Sequence, residues 1–148
     1  MSAERILRIT AAVILLFGIG HTAGYPWIGP VTPAQQQVLL QAFRSTVTVM
    51  QGFPRSYEDT HIGFGLYISL GFAIQAFIVW RLAHHAKDSP ELVQLLTVAF
   101  GIQYLLTVLI DLRYFFWGPI GFSLLIAMGF IASTVRLRAQ SRRAPRAV

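Results

Sequence analysis

The chain is predicted to be all-α, a four-transmembrane-helix bundle with an extra amphipathic helix in its first outer loop. Three observations predict it. Four stretches lack Asp, Glu, Lys and Arg over about the length of a membrane span: Ile9 to about Gly24, Thr60 to Trp80, Leu92 to Ile110 and Tyr114 to Val135. An α-helix needs roughly 20 residues to cross about 30 Å of hydrocarbon, and with no water to bond its amides a spanning segment must be helical. Composition agrees. Of 148 residues 12% are charged and 55% hydrophobic, with mean hydropathy +0.58, whereas about 25% of an average soluble domain is charged. Segments such as ITAAVILLFGIG and GPIGFSLLIAMGFIAS are apolar around the whole helix, where a soluble bundle would keep a polar stripe.

The third observation is the placement of basic residues. Arg5 and Arg8 precede the first span, Arg81 and Lys87 separate the second from the third, and Arg136, Arg138, Arg142, Arg143 and Arg146 follow the fourth. Only Arg44, Arg55 and Arg113 remain for the other face. The positive-inside rule then expects a cell (inner or plasma) membrane protein with both termini cytoplasmic.

Taken in order, the first span is expected over about 6–24 and ends where YPWIGP brings interfacial aromatics and two prolines. MSAERILR before an apolar core has the outline of a signal peptide, but no convincing small-x-small cleavage site follows and HTAGYPW continues as an aromatic membrane-interface sequence, so the segment is expected to remain as a span. Thr32 reads as an N-cap, Pro33 as the first helical residue and Gln35 as the reciprocal capping partner. Gln37, Gln41, Arg44, Thr48 and Gln51 then recur at helical spacing opposite Leu39, Leu40, Phe43, Val47 and Met50, which predicts an amphipathic helix over about 33–51. Gly52, Phe53 and Pro54 end it. The second span follows over about 60–80. Ser89, Pro90 and Glu91 suit the start of a third over 92–110. A fourth over 114–135 leads into a basic cytoplasmic tail, 136–148. No internal repeat divides the chain, which reads as one integral membrane domain.

Small residues at four-residue spacing allow close helix approach: Gly20 with Gly24, Gly65 with Ser69 and Ala73, and Gly129 with Ser133. The spacing serves packing within one chain as well as dimerisation, so no oligomeric state follows from it.

Several function classes are excluded or disfavoured. The absence of cysteine removes disulfides, thiolate metal sites and thiol redox chemistry. The net charge of +6 and pI near 10.5 raise nucleic acid as a partner, but RLRAQSRRAPR has no interleaved aromatics, so the expected partners are membrane lipids and no nucleic acid. No GxSxG, HExxH, P-loop or dinucleotide fingerprint occurs.

The chemistry-bearing residues fall at similar depth. His21 closes the first span; Glu58, Asp59 and His61 open the second; Asp111 and Arg113 flank the outer end of the third. Tyr25, Arg55, Tyr57, Gln103, Tyr104, Thr107 and Tyr114 are candidates for the same layer. Polar groups facing lipid are costly, so they are expected to face the bundle interior or a wet cavity. Three readings are open. Arg55 or Arg113 clamps Glu58, Asp59 or Asp111 structurally. Alternatively His21, Glu58, Asp59, His61 and Asp111 supply acid-base groups of a pocket for a small amphiphile, an isoprenoid, sterol-like or fatty molecule, with Tyr25, Arg55, Tyr57, Gln103, Tyr104, Thr107, Arg113 and Tyr114 binding it. In the third, His21 and His61 ligate haem, or a metal with Glu58 or Asp111. With no HxxxH or ExxH spacing, no metal-ligand set is assigned and the cofactor stays unknown.

GIGHTAG in the first span and RSYEDTHIGFGLYISL opening the second resemble a group of small uncharacterised bacterial four-helix membrane proteins with an early Gly-x-x-His-type element and an Arg-Ser/Thr-x-x-Asp…GFGL element opening the second helix. The resemblance implies that Gly20, His21, Arg55, Asp59, Gly63, Phe64 and Gly65 belong to a shared core, and it implies no activity. In size and topology the chain is also loosely similar to DoxX-like four-helix proteins, which carries no function.

Overall fold

The computed structural model describes residues 1–24 and 34–142. In chain order the elements are α1 (Ala3–Gly24), α2 (Ala34–Ser45), β1 (Val47–Met50), β2 (Phe53–Ser56), α3 (Tyr57–His85), α4 (Pro90–Tyr114) and α5 (Trp117–Ser141). Among the described residues four helices, α1, α3, α4 and α5, are long and apolar enough to cross a membrane. The protein is therefore all-α and multi-pass, with the additional helix α2 between the first and second spans. The expected capping residues Thr32 and Pro33, the side chain of Gln35 and the candidate Tyr25 lie outside the described residues.

The chain forms two compact units, one made of Met1–Phe17 with the chain from Phe72 onward, the other of Gly18–Gly71. The first holds the bundle core. Leu7, Ala11, Ile14 and Phe17 of α1 recur at three- and four-residue spacing and pack with Val79 and Ala83 of α3, Val93 and Tyr104 of α4, and Ile126, Phe130 and Leu137 of α5. Phe17 stacks on Phe122 at 5.0 Å and tilts against Phe72 at 4.6 Å. The opposite helix faces are equally apolar: Ile9, Leu16, Ile74, Phe77, Leu105, Leu109 and Leu125 are exposed. In water such a surface would aggregate; in a bilayer it meets acyl chains.

Hydroxyls inside the helices are satisfied without water. Thr10 donates to the carbonyl of Ile6, Ser133 to Gly129 and Thr134 to Phe130, all at 2.8–2.9 Å. Thr97 and Thr134, both buried, also meet across α4 and α5 at 2.9 Å. α1 comes close to α5 at Gly129. A β-carbon there would fall on the Thr10 hydroxyl and lie 3.2 Å from the Thr10 β-carbon, so α1 reaches α5 only because that position has no side chain.

In the second unit the expected amphipathic helix over 33–51 is corrected. α2 ends at Ser45, and Val47–Ser56 forms an antiparallel hairpin pairing Val47 with Ser56 and Met50 with Phe53. The helical spacing of Gln37, Gln41 and Arg44 continues only by coincidence to Thr48 and Gln51. Thr46, Val47, Thr48 and Val49 are β-branched, which favours strand, and Gln51 (φ 52°) and Gly52 (φ 88°) form a two-residue left-handed turn matched to hairpin twist.

The last two spans also differ in their junction. α4 continues to Tyr114, with the Phe115 amide bonded to the carbonyl of Asp111 at 2.9 Å, so the connection is only Phe115 and Phe116. Nothing in Asp111-Leu-Arg-Tyr breaks a helix, and Asp111 is consequently drawn inside the span. At the start of α4 Pro90 occupies the first turn as expected, but the Ser89 hydroxyl makes no capping bond.

Candidate functional site

Within Gly18–Gly71, most of the ionisable groups are engaged by neighbours. Arg44 Nε donates to both carboxylate oxygens of Glu58, at 2.9 and 3.1 Å. Ser56 and Asp59 form a capping box: the Asp59 amide donates to Ser56 Oγ at 3.0 Å and the Ser56 amide to Asp59 Oδ2 at 2.9 Å. This opens α3, whose first amides have no partner within the helix. Arg55 hydrogen-bonds neither carboxylate: its Nη1 donates to the Pro54 carbonyl at 2.7 Å and its guanidinium lies 5.8 Å over the Phe53 ring, while its positive charge still favours the ionised form of Asp59. Tyr57 is exposed, with its ring 6.0 Å from Phe43. The ion pair to Glu58 is thus made by Arg44, a residue the sequence placed on the amphipathic helix, whereas Arg55 acts on Asp59 through its charge without a direct pair.

His21 Nδ1 lies 3.1 Å from Ser69 Oγ. Ser69 donates its single proton to the Gly65 carbonyl at 3.0 Å, so in this arrangement Nδ1 is the donor to Ser69. His61 is half-buried. Among the described residues no three of His, Asp and Glu gather in a group that could hold a metal ion.

The capping box makes a specific prediction. Ser56→Ala or Asp59→Ala removes one reciprocal bond and should lower stability by about 1 kcal/mol, read as a modest shift in an unfolding titration, whereas Arg44→Ala breaks an exposed pair and should cost roughly half that or less.

The unit containing α4 and α5 holds a different arrangement. α4 buries Val93, Thr97, Gly101, Tyr104, Val108 and Asp111 on one stripe. Tyr104 and Asp111 are seven positions apart, so they project within about 20° of each other and about 10 Å apart along the axis. Gln103 and Asp111, eight positions apart, differ by roughly 80°. Gln103 is accordingly exposed and Thr107 half-buried, the latter bonded to the Gln103 carbonyl at 3.0 Å, so the three do not share one face.

Tyr104 donates to Gln75 Oε1 at 2.6 Å, and Gln75 Nε2 donates to Gln103 Oε1 at 3.2 Å. About two turns further along the stripe, Ser123 of α5 donates to Asp111 Oδ2 at 2.6 Å. Asp111 is 4% exposed. Ion pairs among the described residues join Arg8 and Lys87 to Glu4 and Arg44 to Glu58, and none reaches Asp111. Arg113, two positions on, is exposed and lies 5.7 Å over the Tyr114 ring.

Gln75 and Ser123 were outside the candidate set read from the sequence. Ser123 carried a usable signal: it is a lone hydroxyl in an apolar run, within one helical turn of the position that mirrors Asp111 across the α4–α5 connection. Gln75 is the single amide in the second apolar stretch.

No family model matches the chain, and neither the curated proteins nor the solved structures contain a match.

Proposed function

We propose that this multi-pass membrane protein binds a small amphiphile, an isoprenoid, sterol-like or fatty molecule, with the head group held at Asp111 and the tail along the lipid-facing helix surfaces. One observation carries the reading: Asp111 lies within a transmembrane helix, buried, with one hydroxyl partner and no cation beside it among the described residues. An ionisable group in that position is expensive to keep, and such groups mark ligand or proton sites more often than packing. The Tyr104–Gln75–Gln103 chain, about two turns away along α4, adds donors and acceptors between α3 and α4. Glu58 and Asp59 are accounted for by Arg44 and the capping box, which favours a structural role for that end of α3. The likeness of GIGHTAG and RSYEDTHIGFGLYISL to small bacterial four-helix membrane proteins is part of the same proposal.

Native mass spectrometry of the full chain released from mild detergent tests the binding directly. The expected result is one discrete adduct of small-lipid mass on the wild type that is missing from Asp111→Leu. Bulk phospholipid alone on both would overturn the reading.

The proposal includes an orientation with both termini cytoplasmic, supported by the nine basic residues around the termini and the α3–α4 loop. Because the chain has no cysteine, single substitutions report on a silent background. In intact cells Thr48→Cys on the exposed β1 strand should react with a membrane-impermeant maleimide, while Ser2→Cys and Ser89→Cys should react only after permeabilisation. The reverse pattern would invert the topology.

A further inference from the structure

We infer that the head group taken by Asp111 is cationic, so that the ligand is a lipophilic ammonium compound rather than a neutral alcohol or a fatty acid. The inference rests on the binding reading above and narrows its ligand class.

The chain holds six acidic residues, and they separate sharply by environment. Glu4 is met by Arg8 and Lys87, Glu58 by Arg44, and Asp59 by the Ser56 amide. Asp88 lies in the turn before α4 and Glu91 in its exposed first turn, where a helix N-terminus favours negative charge. Asp111 alone is buried in a span without a countercharge among the described residues. Ser123 satisfies one of its oxygens but brings no positive charge. A fatty carboxylate would place a second acidic group beside it. An alcohol would donate one hydrogen bond and bring no countercharge. An ammonium group supplies both the hydrogen bond and the countercharge, and charge-assisted bonds of this kind are roughly twice as strong as neutral ones.

A second observation points the same way. One turn beyond Asp111, Tyr114, Phe115, Phe116 and Trp117 span the α4–α5 junction as four consecutive aromatic residues, all strongly exposed. Their rings suit the membrane interface, and their faces attract cations. Tyr114 already carries the Arg113 guanidinium, while no described cation lies over Phe115, Phe116 or Trp117. A ligand entering from the interface would pass from aromatic faces to the carboxylate.

Three probes with one tail and different heads separate the possibilities: dodecylamine, dodecanol and dodecanoate, titrated into the full chain in phosphatidylcholine nanodiscs, with empty nanodiscs subtracted. The amine is expected to bind at least tenfold more tightly than the alcohol, with dodecanoate weakest. Asp111→Asn, which keeps the shape and an acceptor for Ser123 but loses the charge, should bring amine and alcohol to similar affinity. Asp111→Glu should retain the preference, and it serves where Asp111→Asn yields no folded protein. Equal binding of alcohol and amine to the wild type, or an amine preference that persists in Asp111→Asn, would overturn the cationic head group while leaving amphiphile binding intact. Absence of saturable binding by all three would overturn both.

Discussion

Replacing Gly129 with valine should destabilise the bundle more than any surface change, by about 1–3 kcal/mol or beyond, as overpacked cores do. Even a single added carbon would occupy the space of the Thr10 hydroxyl and stand 3.2 Å from the Thr10 β-carbon, which belongs to a rigid helix and cannot swing aside. Thr10 is itself buried and fixed by its bond to Ile6. The helices must therefore separate, and the contacts of Leu7, Ile14 and Phe130 loosen with them. The cause can be isolated by a second substitution. Thr10→Ala removes the hydroxyl and the methyl that crowd the site, so Gly129→Ala should be much better tolerated in the Thr10→Ala background than alone, a non-additivity expected of contacting residues. An SDS-induced unfolding titration of the four variants checks this, and simple additivity would show that the close approach is not what Gly129 provides.

The second large effect is at Asp111. Replacing a buried polar group and its partner with apolar side chains is often neutral or stabilising, because the desolvation cost disappears. Asp111→Leu should therefore preserve or raise stability, the Ser123 hydroxyl turning to the carbonyl of Pro119 four residues earlier as other hydroxyls in these helices do. Ligand occupancy, by contrast, should be lost outright. A residue retained for packing alone shows the opposite profile, falling stability with nothing bound in either form.

Much of the architecture was legible because membrane spans are specified by coarse properties. Four charge-free runs and an interior periodicity of three and four residues locate α1, α3, α4 and α5, and no finer signal is needed. The stretch after Arg44 was harder, since Thr48 and Gln51 satisfy a helical period while Thr46 to Val49 satisfy a strand preference, and the conformation of Gln51 and Gly52 decides between them. The site was legible in its residue types and less so in their partners. Sequence depth picks out Asp111 and Tyr104, whereas the angular drift of an α-helix over eight residues separates Gln103 from Asp111. The donation from Arg44 rather than Arg55 to Glu58 depends on where α2 stops and the hairpin turns the chain back, which spacing along the sequence does not encode.

The most direct test of the ligand site is to measure ligand retention and thermal unfolding on the same preparations of wild type and Asp111→Leu. The account predicts a discrete small-lipid adduct on the wild type, its loss in the variant, and an unfolding midpoint that rises or stays within roughly 4 °C, the shift that about 1 kcal/mol produces in a chain of this size. Identical lipid content in both proteins, with a midpoint lowered well beyond that range in the variant, would contradict it and assign Asp111 and Ser123 to holding α4 against α5.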